Sequence, residues 1–246
     1  MDNSQLIGLS QLDVLQRKMD IIANNLANIG TSGYRAEQPI FSEYLMPVAS
    51  DSTSGTTDAE ILFVEDRALH RDFSFGRMEQ TGNELDVALN GEGWLVIETA
   101  DGERYTRAGG FTLDDFGQLT TMQGHPVLGD GGPIAFQPNE SHITIAADGT
   151  ISSSAGLKGR LRVVTFADDR LLVKEAANLF SSPEAPVAAV NPRVSQGVRE
   201  LSNVNAIQQI SEMIQVTRAY EATARMLADT NELESDAIDT LGTASA

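Results

Sequence analysis

The side chains that do chemistry in proteins are scarce in this sequence and poorly spaced for it. Three histidines, His70, His125 and His142, stand far apart, in none of the spacings that gather ligands around zinc. There is no cysteine, which excludes disulfides and thiolate-bound metal. Asp114-Asp115 precedes Phe116-Gly117 and offers half of a glycosidase carboxylate pair, against the plainer reading of a solvated turn. Gly91-x-Gly93 lacks the third glycine and the following helix of a dinucleotide site. The Asp-Gly steps at 101, 130 and 148 lack the alternating carboxylates of a calcium loop. No nucleophile, base and orienting group stand together. The expectation is therefore a protein that is not an enzyme and carries no metal or cofactor.

The residues that do stand out are amides. "IIANNLANIGTSGYR", residues 21–35, sets Asn24, Asn25 and Asn28 inside a helical pattern. Asparagine is a poor interior helix residue, because its side chain competes for backbone hydrogen bonds. Two readings stay open on pattern alone: a solvated polar face, or amides that bond to neighbouring chains in a bundle.

Those residues must be held by helices at the two ends. Leu12, Leu15, Met19, Ile22, Leu26 and Ile29 repeat at 3 and 4 within a helix read over 4–29, stopped by Gly30. Ile210, Met213, Thr217, Tyr220, Ala224, Leu227, Asn231, Glu234, Ile238 and Leu241 repeat the same way, with Ser202-Asn203 as the N-cap. Between them, short alternating runs and Gly turns argue a mainly-β region, with "WLVIETADGERYTRAG" as a hairpin around Asp101-Gly102. Trp94 reads as a core anchor. The organisation is an N-terminal helix (1–34), an extended connector (35–81), a β-rich domain (82–198) and a C-terminal helix (199–246). The fold class is α+β, with the terminal helices paired as a coiled coil and the β domain inserted between them.

The totals narrow the partners. The chain has 246 residues, enough for a sizeable core, and 41% are apolar. A net charge of −18 gives no general attraction to nucleic acid or anionic lipid. No stretch has the apolar length of a membrane helix, and the first twenty residues lack the parts of a cleavable signal peptide. The expectation is a chain that is not membrane-inserted and that another machine exports.

"LDVLQRKMDIIANNLANIGTSGYRAEQPIF" resembles the N-terminal signature of the bacterial flagellar rod and hook proteins: Ala23 to Asn28, Thr31 to Gly33, Tyr34, Arg35 and Phe41. "LSNVNAIQQISEMIQVTRAYEATARML" is similar to their C-terminal block, through Ser202 to Asn205, Met213-Ile214 and Arg218 to Glu221. The block from Asn83 to Ile134 resembles their β domain. The Gly93-Trp94-Leu95 version is most similar to proximal-rod members, with distal-rod members next. The resemblance implies a structural subunit of the rod that crosses the periplasm and transmits torque from motor to hook. It implies partners among the proximal and distal rod subunits and the flagellar type III export apparatus, and no small-molecule substrate. It raises Arg218, Tyr220 and Glu221 as subunit contacts beside Leu12, Leu15, Met19, Ile22, Asn24, Asn25, Leu26, Asn28, Ile210, Met213, Ala224 and Leu227. A reading from another class is a secreted β-domain enzyme or adhesin on a coiled-coil stalk.

Overall fold

A computed structural model describes the backbone of residues 3–47, 60–175 and 178–244. Side chains at 3–4, 41–47, 60–68, 234 and 237–244 lie outside the description, and with them Phe41 and the late periodic positions Glu234, Ile238 and Leu241. Residues 50–58 of the expected connector lie outside it altogether. The chain divides into two units, one of residues 1–27, 37–70 and 205–246, the other of residues 28–36 and 71–204. Terminal helices with a mainly-β middle region make the fold α+β.

The first unit holds helix α1 (Asn3–Ala27) and helix α2 (Ala206–Ala244). The helices are antiparallel, because their contacts pair opposite ends. Gln5 donates to Asn231 (2.8 Å), Thr217 to the Met19 sulfur (3.8 Å) and Asn25 to Gln209 (3.1 Å). Close approach is built in at Gly8, where a Cβ would lie 2.5 Å from a Leu227 methyl. The α2 N-cap is Asn205, not Ser202-Asn203: its side-chain Oδ1 accepts from the amides of Ile207 (3.1 Å) and Gln208 (3.3 Å). The segment read as an extended connector instead contains two long strands, Glu37–Pro47 and Glu60–Arg71, paired as a two-stranded sheet.

The second unit is strand and turn, with a short 3-10 helix at Asp169–Leu171. Its centre is a six-stranded sheet, in the order Val173–Lys174, Phe180–Ser181, Gly102–Thr106, Trp94–Thr99, Val163–Thr165 and Val187–Ala188. Thr99 pairs with Gly102, so the central hairpin turns on Ala100-Asp101, and Gly102 opens the second strand. Side chains alternate across this sheet as the pleat requires. Leu95, Ile97 and Val163 enter one core with Leu119, Ile151 and Leu161. Trp94, Val96 and Val164 enter another with Leu172 and Phe180. Trp94 is an anchor of that second core, its ring 4.9 Å from Phe180 and 6.1 Å from Phe73 by centroids, with its indole N–H on Asp169 (3.1 Å). The unit also reaches beyond residues 82–198: strand Met78–Gln80 pairs with Val198–Glu200, and residues 28–36 pack into it.

Candidate assembly surface

Helix α2 has two faces of different character. Its deepest positions are Gln209, Val216, Thr223 and Leu227, with Met213, Thr217, Tyr220 and Ala224 half-buried. Ile210, placed in the seam by its spacing, instead points out and is 47% exposed. It continues a second row, Ile207 (80% exposed) and Ile214 (48%), which runs on through Arg218, Glu221 and Arg225, all exposed. These six follow steps of 3 or 4 residues and share one stripe. On α1, Ile22 is buried, Leu12, Leu15, Met19 and Leu26 are half-buried, and Leu6 and Leu9 are exposed. The residues named from sequence thus separate into an inner set (Leu12, Leu15, Met19, Ile22, Leu26, Met213, Tyr220, Ala224, Leu227) and an outer set (Ile210, Arg218, Glu221).

The three asparagines separate too. Asn25 is 1% exposed and its amide is engaged inside the chain. It donates to the Glu37 carbonyl (2.8 Å) and to Gln209, and its oxygen accepts from the Glu37 amide (2.9 Å). It splices the start of strand Glu37–Pro47 onto both helices. The expectation that a neighbouring chain satisfies this amide is therefore corrected: Asn25 is an internal fastener. Asn28 is half-buried and accepts from the Thr31 hydroxyl (3.1 Å), shaping the turn after α1. Asn24 is exposed.

In the second unit, residues 33–36 are buried in line. Gly33 sits at φ +67°, and a Cβ there would lie 2.5 Å from the backbone of Arg107 and Ala108, so only glycine fits. Arg35 donates to Glu200 Oε1 (2.7 Å), and the Gly76 amide donates to the same oxygen (3.0 Å). Arg107 lies 3.7 Å from Glu200 Oε2, within ion-pair range but without a hydrogen bond. All three charged side chains are at least 97% buried. Burial pulls the Arg107 guanidinium down to about 10, against the pull of Glu200 the other way. The guanidinium also stacks over Phe75 (5.1 Å) and Trp94 (5.6 Å). Further bonds join the same segments: Gly33 N–H to Glu200 C=O (2.9 Å) and Ala36 N–H to Asn203 Oδ1 (2.8 Å). The Gly33-Tyr34-Arg35 stretch is thus a structural latch between residues 165 apart, which the linear sequence does not reveal.

The groups with chemical potential are not assembled. His70 and His142 are exposed, and His125 is half-buried. Asp114 uses its carboxylate to hold its own turn, accepting from the amides of Phe116 (2.9 Å) and Gln118 (2.7 Å). Among the described residues no group of three or more metal-binding side chains gathers, and no helix is long and apolar enough to cross a membrane.

Three family models match the chain in order. One described as "Flagella basal body rod protein" covers residues 6–35, a "Flagellar hook protein FlgE/F/G D1 domain" covers 88–153, and a "Flagellar basal body rod FlgEFG protein C-terminal" covers 195–240. The flagellar basal-body rod protein FlgF of Caulobacter vibrioides is 37% identical over 98% of this chain and 99% of its own. FlgF of Escherichia coli is 35% identical over 94% and 95%, and the rod protein FlgG of Agrobacterium fabrum 32% over 93% and 95%. Matched along essentially its whole length, the chain belongs to the family of flagellar basal-body rod proteins, with the FlgF proteins, and that family makes it a structural subunit and not an enzyme.

Proposed function

We propose that this subunit builds the proximal part of the rod, joining other proximal and distal rod subunits in the shaft that carries torque across the periplasm. The terminal helices form a coiled coil through the inner set of residues. The outer set, with Ile207 and Ile214, packs against helices of neighbouring subunits. The chain reaches this place through the flagellar type III export apparatus, without a cleaved signal peptide.

The observation that carries this reading is the row Ile207, Ile210 and Ile214, exposed on a helix whose other face is already occupied. Full burial of an isoleucine contributes about 1.5–3 kcal/mol. Repulsion between copies of charge −18 is screened beyond about 8 Å at physiological salt, so short-range apolar contact outweighs it. Arg218 and Glu221 on the same stripe supply one charge of each sign for register. Ile210→Asp tests the reading: the purified chain keeps its helix content, and cells carrying it lose the subunit from their basal bodies and stop swimming. Normal incorporation of that variant would sink it. The distal position is the second reading, because the A. fabrum FlgG reaches the same 32% identity as the Mesorhizobium japonicum FlgF. Shafts that stop after a complete proximal rod when this chain is missing would favour it.

A further inference from the structure

The outer stripe of α2 has a counterpart on α1. Leu9, Asp13, Gln16, Asp20, Ala23 and Ala27 are all exposed and follow one another at helical steps of 4, 3, 4, 3 and 4. This row is small and apolar at its Ala23-Ala27 end and acidic in its middle. The α2 stripe is apolar at Ile210 and Ile214, and beyond them Arg218 and Arg225 stand on either side of Glu221. Asp13, Asp20, Arg218 and Arg225 are exposed and form no ion pair with another described residue. Two charges of each sign thus face water on the two helices.

We infer that the α2 stripe of one copy packs antiparallel on the α1 row of a second copy of this chain. In one register every position agrees. Ile210 lies on Ala27 and Ile214 on Ala23, where small side chains let the helices approach closely. Arg218 then lies on Asp20, Glu221 on the Gln16 amide, and Arg225 on Asp13. Exposed charge pairs add little affinity, but they select partner and register. Sliding the helices by one heptad sets Ile210 against Asp20 in one direction and Asp13 against Glu232 in the other.

The antiparallel direction follows from the helix pair. Within a chain α1 and α2 already run antiparallel, with Asn25 beside Gln209 and Met19 beside Thr217. An antiparallel contact between copies therefore leaves both pointing the same way, within about one helical turn of level. A shaft with distinct ends needs subunits that share one direction. A parallel contact would mate the same signs but turn the second copy over. The inference rests on the rod reading for its setting, and it names the partner surface that the α2 stripe meets.

The chain has no cysteine, so single introduced thiols report cleanly. Full-length Ala23→Cys and full-length Ile214→Cys, one of them isotopically labelled, are mixed at high concentration and oxidised briefly. Each chain carries one thiol, so every disulfide joins two copies. The expected dimer is overwhelmingly the mixed one by mass, where random pairing gives about one-half. Asp20→Lys in the first chain lowers the mixed dimer about threefold, and adding Arg218→Glu to the second restores it. A control for the parallel contact, Leu9→Cys with Ile214→Cys, links only at random. No mixed excess for 23 with 214, an excess for 9 with 214, or a charge swap that fails to rescue overturns the contact. Those outcomes leave the rod reading standing, which fails only if the chain is missing from basal bodies.

Discussion

Glu200 and its two arginines show at the residue scale what the N-terminal signature does. Its Gly33, Tyr34 and Arg35 are packed away, not offered to neighbours. The cluster holds two guanidinium groups against one carboxylate, and the Nε atoms of Arg35 and Arg107 have no hydrogen-bond partner among the described residues. Removing one member of a buried pair typically costs about 3–5 kcal/mol, because the remaining charge stays unpaired. Glu200→Gln should destabilise the β-rich unit by that amount, read by urea unfolding followed through Trp94 fluorescence. A loss under 1 kcal/mol would mean the cluster is not a latch. Asn25→Ala should cost about 1–3 kcal/mol of helix-pair stability, since it strands the Glu37 backbone and Gln209. Thermal melting of helical circular dichroism measures it, and an unchanged melt contradicts the fastener role.

Helix α2 keeps a buried face and an exposed stripe apart. Val216→Asp puts a charge into the buried face and should melt the helix pair in the isolated chain. Ile214→Asp lies on the exposed stripe and should leave the isolated chain's circular dichroism unchanged while abolishing incorporation. Equal effects of the two on the isolated chain would erase the distinction between the faces. Both helices were legible in the sequence, because a 3-and-4 repeat of Leu, Ile and Met survives without knowledge of the partner. Of the buried row of α2 only Leu227 was, since Gln209 and Thr223 are polar and their neighbours Ile210 and Ala224 fit the same repeat one residue later. The strands Glu37–Pro47 and Glu60–Arg71 were read as connector because their residues lack sustained alternation. The Arg35–Glu200 pair was invisible for a different reason: its partners meet only once both chain ends enter the same unit. That closure gives a further expectation. After limited proteolysis between residues 37 and 70, a fragment containing 28–36 should co-purify with 71–204 under native conditions. Its release on nicking would show that the latch contributes little.

Charge and assembly belong to the whole molecule. Three carboxyls are held below their ordinary range by donors: Glu140 by Lys158 and then Ser153, Asp148 by Thr150, and Glu175 by Arg104. A lowered folded pKa contributes stability above the unfolded value and loses it as pH falls through the folded one. Their small contribution is therefore fully present above the ordinary carboxyl range and is lost only as pH falls below it. Over the same descent the charge of −18 shrinks toward the isoelectric point near 4.4. Self-association should accordingly strengthen from pH 8 to pH 5.5 at low salt, with the difference fading at high salt. Sedimentation velocity checks it, and association that weakens toward pH 5.5 would contradict the electrostatic account.

The chain's place in the rod is tested by mass spectrometry of hook–basal bodies purified from the source bacterium, with and without this chain. The proximal-rod role requires the chain in the intact particles, and particles lacking it should also lack the distal-rod subunits. Complete shafts in its absence would contradict the proximal-rod role.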